Sequence, residues 1–320
     1  MPISSKRPRP DSDAGCAQFA DDPRLEREHA NAKSVMRGIA QEFVCPIDQS
    51  PVYDAVLATD GCIYERRAIE EWFDCASSKN PDTRLFRSPS TGAPLLSTAL
   101  VNAPAIRNAI QRLVESGTLD IDLVEAWEQK RKEHHRFERQ RELARNGDLD
   151  AIYAMGLHHA NRGWDKKYSL DVQTRERAAA AEWYKKGAQG KGVKSMACYG
   201  RALTRGHGVQ KNTVMGVYLL MRAAHRCSDL ACYILGMAAA GVKDHAIEGV
   251  DTDPHDARLF LEMMFAMHDG EEAFPDRLPL RSKPLANTHK HLRPERLEQA
   301  RLVLDKLPPL KMGAAQKPAV

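Results

Sequence analysis

Between positions 40 and 117, the residues able to act as nucleophiles or soft metal ligands are Cys45, Cys62 and Cys75, and the interval holds no histidine. A thiol nucleophile normally needs a partner base, most often histidine. A pair of tetrahedral zinc sites needs about eight ligands, mostly Cys and His, and usually shows Cys-x-x-Cys spacing. This interval has neither, so its three thiols read as packing residues and no metal or cofactor is expected. It does offer a polar cluster around turns: Asp54, Asp60, Tyr64, Glu65 and Arg66. Carboxylates, a phenol and a guanidinium at that density suit a network that ties loops together by charge-assisted hydrogen bonds. Farther on, His158, His159 and His207 read as helix-surface or packing residues rather than metal ligands.

These groups need elements to hold them. Ala55-Val56-Leu57-Ala58 reads as a strand that runs into the tight turn Asp60-Gly61. A helix begins near Glu65, with Ile69, Trp72 and Phe73 at i, i+3 and i+4 on one apolar face. A long polar loop, Asp74 to Arg87, leads to a second turn-rich stretch, Ser88 to Leu95. A further helix carries Ile106, Ile110, Leu113 and Val114, with Pro104 in its first turn and Gly117 placed to stop it. Residues 39–117 thus read as one compact α+β unit.

The rest of the chain is organised differently. Residues 1–38 are polar and read as a disordered tail, with at most a short helix near Leu25–Met36. Residues 118–146 alternate charges at helical spacing, with a short apolar stripe at Ile121, Val124 and Trp127, and read as a solvated connecting helix, with a partner-binding or dimerising helix as the alternative. Residues 147–268 are helical and repetitive. Small residues recur at Gly156, Gly200 and Gly236, and each is followed by a second apolar helix. A helix pair cannot bury its apolar face alone, so the pairs must stack. Residues 269–320 are rich in Pro and basic residues, with one capping helix at Pro294–Leu307. The whole chain of 320 residues is 42% hydrophobic and 28% charged with a net charge of +4, which suits a soluble protein and does not point to nucleic acid. No apolar stretch approaches the ~20 residues of a membrane span, and no secretory signal opens the chain. Seven cysteines, an odd number, suit reduced thiols in the cytoplasm. The run Lys6-Arg7-Pro8-Arg9 reads as a solvated basic tail or a nuclear import signal.

The order Phe43-x-Cys45-Pro46-Ile47, Asp60-Gly61-x-x-Tyr64-Glu65-Arg66-x-x-Ile69-x-x-Trp72, Ser88-Pro89-x-Thr91-x-x-Pro94-Leu95 and Ile106-Arg107-x-x-Ile110 resembles the U-box family. The resemblance implies a RING-like fold without zinc that binds a ubiquitin-loaded E2 and brings a substrate lysine to the thioester. That is catalysis by proximity and orientation, with no covalent ubiquitin intermediate on this chain. Carried over by position, it assigns E2 contacts to Ile47 and Gln49 in the first loop, Trp72 on the helix and Pro89 in the second loop. Trp72 competes with Ile69 and Phe73 for the inward face, which leaves core and surface open for it. Three positions depart from the family pattern: Gln49 is usually apolar, Gly92 often basic, and Asn102-Ala103 usually Pro-Asn. The loop Asp74–Arg87 is also longer than typical.

Residues 147–268 resemble Sel1 repeats, relatives of the tetratricopeptide repeat, most clearly at Gly200, Gly206-His207-Gly208-Val209, Lys211, Gly216 and Ala223-Ala224. The longer step from Gly156 to Gly200 implies an insertion of about eight residues, placed within Trp164–Arg175. Trp183 and Tyr184 fall where the pattern expects core aromatics. The expected function is an E3 ubiquitin ligase whose repeats recruit a protein substrate or adaptor; a homodimer is left open. The alternatives are a non-catalytic interaction scaffold with a degenerate U-box, supported by Gln49 and Gly92, and a factor that extends existing ubiquitin chains.

Overall fold

The computed structural model describes residues 23–79, 86–117, 119–269 and 292–309. The chain divides into two compact units, one running to His134 apart from Ser77–Lys79, the other from His135 onward.

The first unit opens with helix α1, Pro23–Gln41. The strands are β1 (Ala55–Leu57), β2 (Ile63–Glu65) and β3 (Val101–Asn102). They form an antiparallel sheet in the order β2-β1-β3, with Val56 opposite both Tyr64 and Asn102. Helices α2 (Arg66–Lys79) and α3 (Pro104–Glu115) follow. The core gathers Cys45, Val52, Val56, Tyr64, Ile69, Phe73, Leu95 and Ile110. Pro104 opens α3, where its missing N–H costs nothing. Gly117 follows that helix at φ +66°, a conformation that suits glycine.

Two expectations need correction. The short helix read near Leu25–Met36 is present and longer, running from Pro23 to Gln41. Its Arg, Glu, Ala, Lys and Met residues are strong helix formers, and Ala40 is buried at the end of α1. Residues 1–22, with the basic run at Lys6–Arg9, lie outside the described residues. The second correction concerns α4, Ile121–Arg145, which was read as a solvated connector. Trp127 is only 1% exposed and belongs to the first unit's core, edge-on to Tyr53 at 5.6 Å. Trp127, Lys130 and His134 fall at i, i+3 and i+7, so they share a face, and His134 also stacks against Tyr53. The apolar stripe at Ile121, Val124 and Trp127 marks this face only in part, because Lys130 and His134 share it.

The second unit is a series of helix pairs: α5 (Leu149–Trp164) with α6 (Leu170–Gln189), α7 (Val193–Arg205) with α8 (Thr213–Ala224), and α9 (Asp229–Ala239) with α10 (Pro254–Asp269). Each pair buries small and medium side chains at the centre: Ala197, Leu220, Ala223, Ala231, Leu261 and Met264 are at most 1% exposed. Starts are capped by Asp148, Ser169, Asn212 and Ser228, each accepting the N–H three residues on. Close approach of α7 and α8 needs two glycines, since a Cβ at Gly216 would lie 2.9 Å from the Gly200 carbonyl.

The expected insertion does not form a separate loop. It lengthens the first pair, to 16 and 20 residues against 13 and 12 in the second. Leu170–Arg175 lies in the first turns of α6 because Ser169 supplies a cap for them. The last described helix, α11, spans Pro294–Leu304. Arg258 on α10 donates to the carbonyls of Leu304, Leu307 and Pro308, which satisfies groups that a helix end leaves orphaned.

Candidate functional site

The site region of the first unit is a pair of loops held to the sheet and helices by hydrogen bonds and ion pairs. Among the described residues no cluster of His, Cys, Asp or Glu could hold a metal ion.

The first loop runs from Val44 to Pro51, which bridge to each other. Within it the N–H of Cys45 donates to the Ser50 carbonyl and that of Gln49 to the Cys45 carbonyl, both at 2.9 Å. Gln49 is exposed at φ +57°, and its amide donates back to the Pro46 carbonyl. Asp48 is tied at its base by Lys130 from α4, at 2.8 Å. Burial works against ionisation of Asp48, but Lys130 and Ser50 outweigh it and hold the carboxyl below its usual range.

The strand that follows is pinned by carboxylates. Glu65 accepts the N–H groups of Tyr53 at 2.7 Å and Asp54 at 3.2 Å. Asp54 in turn ion-pairs with Arg66 and with Arg107 from α3, each at 2.9 Å, and Arg107 also donates to the Tyr53 carbonyl. Arg66 reaches Asn102 on β3 as well.

The second loop is organised on Ser88, which is 3% exposed. Its Oγ accepts the N–H groups of Ser90 and Thr91 and lies 3.4 Å from the Tyr64 hydroxyl. That hydroxyl donates to Asp60 at 2.8 Å, and Asp60 also accepts the Cys62 N–H. Burial opposes the charge on Asp60, but hydrogen bonds from Ser88, the Cys62 backbone and Tyr64 keep the carboxyl below its ordinary range. Tyr64, fully buried, is pushed upward chiefly by desolvation.

Ile69 and Phe73 take the inward face of α2, at 0% and 8% exposure, which leaves Trp72 39% exposed. Its indole N–H donates to the Arg87 carbonyl at 3.1 Å, two residues before Pro89. Trp72 and Pro89 are therefore joined through the second loop, while Ile47 and Gln49 share the first. Ile47 is partly buried against the core and Pro89 is half-exposed. Gly92, at φ +70°, is exposed, and its carbonyl accepts from Arg87 at 2.9 Å.

Sequence reasoning missed several partners. Ser88 and Arg107 stood in the motif without a role, Asp48 was not singled out, and Lys130 was read only as one of the charges of its helix, whereas Trp127 was already marked by the apolar stripe it forms with Ile121 and Val124. The usable signal for Trp127 was its apolar character in an otherwise charged helix. Cys45 is fully buried and its thiol is pushed up by desolvation, the wrong direction for a nucleophile.

A U-box domain model matches residues 39–119. The WD repeat, SAM and U-box domain-containing protein 1 of Homo sapiens is 36% identical over 93 residues, 29% of this chain and 18% of that protein. Its Danio rerio counterpart is 41% identical over 78 residues, 24% of this chain and 14% of that protein. The U-box domain-containing protein 44 of Arabidopsis thaliana is 35% identical over 74 residues, 23% of this chain and 9% of that protein. Residues 39–119 are a U-box domain, and the chain spans less than a fifth of the length of these curated relatives. Among solved structures, a Sel1 repeat protein from Oxalobacter formigenes aligns over 64% of this chain and 88% of its own, with TM-score 0.32 and 19% identity. A likeness that loose carries no argument, and the repeat architecture rests on the helix pairs themselves. No described helix is long and apolar enough to cross a membrane.

Proposed function

We propose that this chain is an E3 ubiquitin ligase. Its U-box binds a ubiquitin-loaded E2 through Ile47, Gln49, Trp72 and Pro89, and its helix pairs recruit a substrate or adaptor. The carrying observation is the loop pair of a U-box that leaves Trp72 partly exposed and anchored to the second loop. An exposed aromatic beside apolar loop residues is the composition expected of a small protein interface. On this reading the chain acts by holding the E2 thioester and the substrate lysine together, in keeping with the buried Cys45 thiol, which desolvation pushes up. Arg87, donating to Gly92, sets a guanidinium at a loop that lacks a basic side chain at position 92, which supports activity despite that departure.

A second reading, a non-catalytic scaffold, is favoured by Gln49, a polar residue at positive φ where the family is usually apolar. An in-vitro assay with E1, ATP, ubiquitin and a panel of E2s separates the two. The ligase reading expects chains with wild type that disappear for folded Ile47→Ala and Pro89→Ala proteins. A folded wild type that forms no chains with any E2 establishes the scaffold instead.

A further inference from the structure

The second unit has a small, solvent-open recess of about 30 Å³ lined by residues of α5, α6 and α7 and of the loop after α7. Its floor is small and apolar: Ala180, Ala181 and Ala202 are buried, as are Cys198 and Tyr184. Its polar groups are all on the basic side. Arg177 is fully used: its guanidinium donates to the Gly163 carbonyl at 2.7 Å and to Gln173 at 2.8 Å, and it stacks on Trp164 at 4.1 Å. Trp164 is 48% exposed and meets the His207 ring edge-on at 4.7 Å. The loop bearing His207 is pressed against α6, since a Cβ at Gly208 would lie 2.2 Å from the Arg177 carbonyl oxygen.

Arg201 is different. Its guanidinium lines the recess and makes no hydrogen bond or ion pair with any described residue. The acids nearby are committed elsewhere. Glu176 is engaged by His159 at 2.7 Å and by Arg162 and Arg175. Asp229, whose charge reaches Cys198, is buried at the start of α9 and accepts the Leu230 N–H. The surrounding field is cationic. Burial and the charges of Arg201, Arg177 and Arg205 push the His207 imidazole down, and burial and Arg201 do the same to Arg296 on α11.

We propose that this recess binds an acidic side chain of an extended partner peptide, with Arg201 pairing to its carboxylate and Trp164 and His207 forming an aromatic rim beside it. A half-buried guanidinium over an apolar floor is matched by a planar carboxylate, which it binds through two parallel hydrogen bonds. A recess this small, in which Arg177 is already engaged and Arg201 is not, suits a side chain better than a nucleic-acid backbone, which is tracked by a stripe of cations. The proposal rests on the reading of the helix pairs as the recruiting half of a ligase, and it names the chemistry they select.

The test is fluorescence anisotropy on the full chain, using labelled oligoglutamate, oligolysine and oligoserine peptides of equal length and an oligothymidine strand. Wild type should bind oligoglutamate in preference to the other three, and more weakly as salt rises. Arg201→Gln, checked for fold by circular dichroism, should weaken that binding roughly tenfold or more. Arg201→Lys should fall between, since it keeps the charge but loses the fork. Glu182→Gln, on an exposed face of α6, should bind as wild type does. Folded wild type that ignores oligoglutamate, Arg201→Gln that binds it undiminished, or tighter binding of oligothymidine would each overturn the proposal. Discharge of an E2~ubiquitin thioester by wild type is measured separately, so loss of the ligase reading and loss of the acidic-peptide site are read on different signals.

Discussion

The two units are held together by different physics. The U-box loops are fixed by a few polar residues, each serving several partners: Glu65 holds two backbone N–H groups, Asp54 two guanidiniums, Ser88 two further N–H groups. The repeat unit is fixed by area and by small residues that let helices touch, as at Gly200 and Gly216. A network of shared partners fails when one member is lost, because buried groups are then left unpaired. A stack of helix pairs fails when something too large is inserted. The lesson is that the U-box loops take their shape from hydrogen-bond geometry, while the helix pairs take theirs from packing.

The comparison breaks most visibly at Trp127, the large apolar residue that α4 adds to the polar unit. Trp127→Ala should cost about 3–5 kcal/mol in denaturant unfolding of the first unit, as for other buried large-to-small changes. A cost below about 1 kcal/mol would return α4 to the role of a solvated connector. Next comes Gly208→Ala in the repeat unit. The new Cβ meets the Arg177 backbone, and φ +72° is strained for alanine, so a loss of about 1–3 kcal/mol is expected. Ser88→Ala removes one acceptor shared by two N–H groups and should cost about 1–2 kcal/mol, with slower ubiquitin transfer as the second loop loosens.

The smallest expected effect is on pH. Asp48 and Asp60 in the U-box and Glu176 in the repeats all have folded values below the usual carboxylate range. Depressed carboxyls contribute stability that is complete above their unfolded values, about pH 4, and is lost as pH falls through the folded values. Urea midpoints should therefore drop on the acid side of about pH 4. Lys130→Met should shallow that drop for the U-box by removing the partner of Asp48. An unchanged acid limb would show that Lys130 does not set the Asp48 carboxyl.

Much of the fold could be read from spacing. Asp60-Gly61, Pro104 and Gly117 mark the ends of elements through local chemistry, and Ile69 and Phe73 declare the inward face of α2. The helix pairs were legible because Gly156, Gly200 and Gly236 recur. The rest depended on partners distant in sequence. Lys130 meets Asp48 and Arg107 meets Asp54 across intervals that no local pattern spans. The charge alternation of α4 hid part of a buried face, since Lys130 contributes to it through an ion pair. The insertion in the first repeat was legible in length but not in form, because Ser169 caps it into helix α6.

The central proposal is that this U-box promotes discharge of an E2~ubiquitin conjugate by ordering its thioester. The direct measurement is single-turnover discharge of E2~ubiquitin to free lysine, across a panel of E2s, with the wild-type chain and folded Ile47→Ala and Trp72→Ala proteins. The account predicts that wild type accelerates discharge of at least one E2 by roughly tenfold or more, through ordering of the thioester, and that both variants lose most of this gain. A well-folded wild type that leaves every conjugate at its spontaneous rate would contradict it.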